Sequence, residues 1–175
     1  MTQNWKVVGW DKPYKEQLGK DVFSFLEKDK NIIEYLSDYD HITNIFKNTN
    51  QYKLTDNSMF ALTICKIFEG TLILIAKEMN WFTNYNNSNQ PTSIRAFILQ
   101  HRKKIEQEIN SINNITTTNK QIIIDKLFST IHDFGERHKV AHYGTFLNQA
   151  EIENYNSILT KIKEIVSIFT SNNLI

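Results

Sequence analysis

The stretch "GERHKVAHYG", residues 135–144, gathers Arg137, His138, Lys139 and His142 between two glycines. The whole chain has only three arginines. One of them stands five residues before a histidine, directly after the amphipathic run "IIIDKLFSTIHDF". An imidazole moves protons near neutral pH, and a guanidinium keeps its charge and grips oxyanions through parallel hydrogen bonds. Three chemistries fit these residue types: a charged helix surface, a histidine-based metal site, or a site that cleaves RNA.

Spacing restricts the third option. On a heptad grid Ile124, Leu127, Ile131, Phe134, His138 and Ala141 fall on one inward seam, with Arg137 and His142 on its two flanks. Five helical residues separate that pair by about 140° around the axis and about 7.5 Å along it. A straight helix does not aim both at one phosphate oxygen. Two arrangements do. The helix bends at Gly135, or a second copy packs across the seam and brings one chain's Arg137 towards the other's His142. The small Ala141 suits such an approach.

Each residue also has an ordinary explanation. Arg137 can pair with Asp133 four positions earlier, an interaction worth only about 0.2–0.5 kcal/mol on a helix surface. His142 suits a helix C-terminus ahead of Gly144, and His138 suits a hydrogen bond within the bundle. As a metal site, His138 and His142 have the i, i+4 spacing of two ligands, with His132, Asp133, His101 or His41 as further donors. There is no "HExxH", so the expectation is no metal and no cofactor.

The chain that must position these residues has 175 of them, enough for one domain with a sizeable core. It is 41% hydrophobic, 12% aromatic and 22% charged, with only two prolines and five glycines, which argues against a turn-rich β fold. The net charge of +1 creates no global field for nucleic acid, so any RNA contact needs a local basic cluster. One such cluster is "QHRKKIEQE", 100–108, where Arg102 and Lys103 are candidate RNA-binding residues, although a solvated helix face is the default reading. The single cysteine, Cys65, excludes an internal disulfide framework and fits a reducing, cytoplasmic setting. The start "MTQNWKVVGWDK" has no secretory pattern. The apolar run "MFALTICKIFEGTLILIAKEM" carries Lys66, Glu69, Lys77 and Glu78, and reads as a central core helix, not a membrane span.

Periodicity predicts an all-α, up-and-down-like bundle of five to six helices. The spacing places helices over 12–29, 31–47, 58–79, from Ser93 to about 112, from Asn119 to about 142, and over 148–170. Residues 1–11 read as a tail, 48–57 as a loop, and the Asn-rich tract 80–91 as a linker within a single domain spanning 1–175. Trp5, Trp10 and Trp81 can stack on bases, though packing is their ordinary use.

"RHKVAHYG" resembles the Arg–polar–x–x–x–His motif of the HEPN superfamily of helical bundles. Arg137 takes the arginine, His138 the polar position and His142 the histidine. "FALTICKIFEGTLILIA" and "SIRAFIL" are similar to the abortive-infection (Abi-U type) branch, whose motif Lys139 and Ala141 also match. The polar position is most often asparagine in the family, and Tyr143 stands directly after His142, so another branch's tyrosine has no counterpart. The resemblance implies a metal-independent endoribonuclease working as a homodimer, in a defence or toxin role with an antitoxin protein among its partners. It makes Arg137 the phosphate clamp, His142 the acid/base, His138 an orienting or second proton-handling group, and Lys139 a phosphate contact. The 2′-hydroxyl supplies the nucleophile and with it the preference for RNA. The alternative is a non-catalytic helical module whose cleft holds a nucleotide, RNA or protein.

Overall fold

The computed structural model describes residues 12–48, 58–85, 93–133 and 149–175, and everything structural below refers to these. They form an all-α assembly with nine helices and no strand among the described residues. The helices are α1 (Lys12–Leu18), α2 (Lys20–Leu26), α3 (Lys30–Asn48), α4 (Ser58–Glu78), α5 (Trp81–Asn84), α6 (Ile94–Gln100), α7 (Arg102–Ser111), α8 (Thr117–Asp133) and α9 (Gln149–Ser171). No helix of the described residues is long and apolar enough to cross a membrane.

The nine arise from the six periodic segments by two breaks and one addition. Residues 12–29, expected as one helix, divide at Gly19, whose φ of 89° lies in the region L side chains avoid. The helical hydrogen bonding continues across it, from Gly19 N–H to Lys15 and from Phe23 N–H to Gly19, both at 3.0 Å. Leu18, Val22, Phe23 and Leu26 therefore still face one core. The segment from Ser93 divides at His101, whose φ of −97° and ψ of 12° close α6 and open α7. The added helix, α5, stands at the start of the tract expected as a linker. Asn80 turns the chain there in the left-handed conformation that asparagine tolerates, with φ 56°. That turn drives Trp81 into the core, where it is 0% exposed. The polar composition of 86–91 hides this, and those residues lie outside the described ones.

Helix starts follow capping chemistry. Asp29 Oδ1 accepts from Asn31 N–H (2.9 Å) ahead of α3, Ser93 Oγ from Ala96 N–H (3.3 Å) at α6, and Thr116 Oγ1 from Asn119 N–H (3.2 Å) at α8. The last cap starts α8 at Thr117, two residues earlier than the periodicity alone suggests. At the far end of α9, Asn173 (φ 53°) lets Leu174 N–H reach back to the Phe169 carbonyl (3.0 Å), a left-handed closure that satisfies a terminal carbonyl.

α4 is the hub. It packs against α3, α5, α6 and α9, while α9 also meets α1, α2 and α8. Its buried residues occur on every side: Ala61, Ile64, Cys65, Ile67, Phe68, Leu72, Leu74, Ile75 and Ala76. This is the pattern of a helix surrounded by others. Gly70 marks where α3 comes closest, since a Cβ there would stand 2.9 Å from Ile32 Cγ1. The one buried hydroxyl on α4, Thr71, donates to the Ile67 carbonyl at 2.8 Å, so its burial leaves no orphaned donor.

Candidate functional site

The described residues nearest to the motif in sequence are the last turns of α8. Ile123, Ile124, Leu127, Phe128 and Ile131 are buried, which confirms the seam drawn through Ile124, Leu127 and Ile131 and widens it. α8 packs on α7 and α9 through this face. Arg137, His138, Lys139 and His142 lie outside the described residues, as do Phe134 and Ala141.

Two of the three arginines meet α8 at its C-terminal half. Arg95, the second residue of α6, follows buried Ile94 and precedes buried Phe97 and Ile98. Its Nε donates to the Ile131 carbonyl at 3.3 Å. Arg102 opens α7 and sets its guanidinium over the Phe128 ring, with Cζ 4.6 Å from the ring centre. Arg102 Nε also donates to Glu106 Oε1 at 2.7 Å, an i, i+4 pair at a partly exposed position. Lys103 and Lys104 follow on exposed positions. The expected RNA-binding pair therefore separates: Arg102 is held against α8, and Lys103 stands in solvent. Sequence reasoning missed Arg95. Its signal was composition, since the chain uses lysine for most of its cations and an arginine is the exception.

Beside this basic edge lies an aromatic cluster. Tyr85 stacks on His101 (ring centres 5.1 Å apart, planes 23°), and Phe97 meets the same imidazole at 4.8 Å. Tyr85 Oη donates to Glu108 Oε2 at 2.7 Å, while Lys104 Nζ stands 5.7 Å from the Tyr85 ring centre. Burial, then the hydrogen bond to Glu108, pushes the Tyr85 phenol well above its ordinary range. Burial against the rings, and secondarily the Lys104 charge, hold the His101 imidazole below 6.5, favouring its neutral form. Both faces of this stack are already engaged, so it is a packing device that fixes the α6–α7 break.

His41 on α3 and His132 on α8 are exposed. Among the described residues no group of three or more His, Cys, Asp or Glu side chains is placed to hold a metal ion. Trp81, one of the candidate stacking residues, lies in the core with its ring edge-on to Phe169 at 6.5 Å, so it is not available to a base. The described residues bring two guanidinium groups, Arg95 and Arg102, to α8, with the exposed Lys103 and Lys104 following Arg102 on α7.

Compared with family models, curated proteins and solved structures, the chain matches none. Its class is set by its own coordinates: an all-α protein built around a buried central helix.

Proposed function

We propose that this chain is a HEPN-like, metal-independent endoribonuclease acting as a homodimer, with Arg137 and His142 at the centre of its site. His142 takes the proton of a ribose 2′-hydroxyl, whose oxygen attacks the adjacent phosphorus and expels the 5′-oxygen of the next nucleotide. The expelled oxygen receives a proton from the protonated imidazole or from His138, leaving a 2′,3′-cyclic phosphate. Arg137 stabilises the charge that builds on the phosphoryl oxygens, and Lys139, Arg102 and Lys103 hold neighbouring phosphates. A role in defence or as a toxin, restrained by an antitoxin protein, suits such an activity.

The observation that supports this reading is the convergence of guanidinium groups on α8. Arg95 and Arg102 sit on its last two described turns, at Ile131 and Phe128. The third arginine, Arg137, follows Asp133 by four residues in the sequence. A nearly neutral chain needs a local basic cluster to hold RNA, and two of its three arginines meet on this helix.

The test is cleavage of single-stranded RNA in excess chelator, with folding checked by circular dichroism. His142→Ala and Arg137→Ala are each expected to lower the rate by about 10²-fold or more. Dependence on added zinc would point to the metal site instead. An intact fold that binds RNA without cutting it would leave the non-catalytic module.

A further inference from the structure

We infer that the aromatic stack at the α6–α7 break is a proton-sensitive clasp: the neutral His101 imidazole pins the end of α5 to that corner, and a proton on the ring releases it. This stands apart from the nuclease reading and uses none of its residues. α5 has four residues, too few to hold a helical turn unaided. Trp81 at its start is anchored in the core, while Tyr85 at its C-cap rests on side chains of α6 and α7. His101 serves that contact twice. Its backbone, at φ −97° and ψ 12°, makes the turn between α6 and α7. Its half-buried ring meets Tyr85 at 5.1 Å and Phe97 at 4.8 Å. A change of charge on that ring therefore bears on three helices at once.

The groups around the imidazole decide the sign. α5 presents Tyr85, whose phenol stays protonated because burial and its bond to Glu108 push it far above the ordinary range. α6 presents the apolar Phe97. α7 presents Lys104, whose Nζ also stands 5.7 Å from the Tyr85 ring centre. It presents Glu108 as well, which accepts from the Tyr85 hydroxyl at 2.7 Å and from Asn84 Nδ2 at 3.5 Å. Burial against the rings disfavours a charged imidazole, and Lys104 adds a like charge. The stacked ring thus resists a proton that a released ring accepts at its ordinary 6.5. Above that pH the clasp is closed. As pH falls through 6.5, protonation draws the equilibrium towards the released state, until the stacked ring also takes a proton at its lowered value. For every pH unit between those two values, release becomes about tenfold more favourable.

The experiment follows the full chain by NMR from about pH 8 to about pH 5, the range in which histidine titrates. His101→Phe identifies the His101 signal among the five histidines by its loss. Two kinds of signal report release. One is the Tyr85 ring protons, displaced by the neighbouring rings. The other is the exchange of the Asn84 and Tyr85 amides, which donate to the Asn80 and Trp81 carbonyls at 2.9 and 3.1 Å. The expected result is a His101 midpoint below 6.5, with Tyr85 ring signals moving towards free-tyrosine positions in the same transition. Protection of the two amides, corrected for intrinsic exchange at each pH, should fall by the factor that the midpoint dictates. Amides in the middle of α4, such as Phe68, should keep theirs. Lys104→Gln should raise the His101 midpoint, and His101→Phe should remove the pH response of Tyr85. A His101 midpoint at or above 6.5 overturns the clasp, as does a Tyr85 that stays indifferent while His101 titrates. Equal loss of protection in α4 would mean that the whole fold gives way, and overturns it too. Should His101→Phe fail to fold, Lys104→Gln, at an exposed position, identifies His101 as the histidine whose midpoint moves. Five unmoved midpoints overturn the inference.

Discussion

The surroundings of α4 and the corner where α6 and α7 meet α8 are built on opposite principles. Around α4 the contacts are apolar and come from every direction, and the one buried hydroxyl is satisfied within its own helix. At the corner, polar groups have individual partners: Arg95 with a carbonyl, Arg102 with a ring and a carboxylate, Tyr85 with Glu108, His101 between two rings. Apolar burial is additive and non-directional, so the α4 region holds the chain together whatever the detail. Directional contacts at a partly solvated edge add little stability each but fix where charges stand. The first region makes the fold, and the second fixes where individual charges stand.

That division can be broken at its strongest point first. Trp81→Ala removes a fully buried ring beside Phe169 and should cost about 3–5 kcal/mol in denaturant unfolding. Trp81→Phe should cost clearly less, because it keeps an aromatic side chain and removes an indole N–H that has no hydrogen-bond partner among the described residues. Equal losses for the two would mean that the ring's volume is not what matters. Gly70→Ala comes next. Its new Cβ meets Ile32 Cγ1 at 2.9 Å, near the branch of that side chain, so the Ile32 side chain or the spacing of the two helices must give. Thermal unfolding should show a loss of about 1–3 kcal/mol, and an unchanged midpoint would show that α3 is free to shift.

The smallest effect is at the corner. The folded chain holds the His101 imidazole below its ordinary 6.5, chiefly through burial and then through Lys104. As pH falls below 6.5 the unfolded chain takes up a proton that the folded chain resists. Stability is therefore full above that pH and declines towards the lowered value. His101→Phe keeps the stack with Tyr85 and Phe97 and should flatten that part of the stability profile. A profile identical to wild type would remove His101 as the source.

Much of this arrangement was readable from residue patterns. The apolar run of α4 named the central helix, the stripe of Leu159, Ile162, Val166 and Phe169 named the inner face of α9, and Ser93 marked a helix start. The seam through Ile124, Leu127 and Ile131 was equally plain. The breaks were not. Gly19 and His101 sit inside continuous apolar periodicity, and helix propensity at one residue is too weak to predict where packing bends a chain. Trp81 was hidden by the asparagines that follow it, because composition averages over residues that the turn at Asn80 separates. Of the candidate site, Arg102 and Lys103 could be named but not told apart. Arg95 had only its rarity as a signal, since its partner is 36 positions away in the chain.

What the sequence determined by itself was periodicity: which segments are helical, which faces are apolar, and that Arg137 and His142 stand on the flanks of one seam if the helix continues. Hydrophobic spacing is a local property, and burial rewards it wherever the neighbours come from. Only the tertiary structure decided that Trp81 belongs to the core and that Arg95 and Arg102 meet on α8. Those are contacts between segments far apart in the chain. The Ile131 carbonyl under Arg95 and the Phe128 ring under Arg102 are partners set by distance in space, and no spacing along the sequence encodes them.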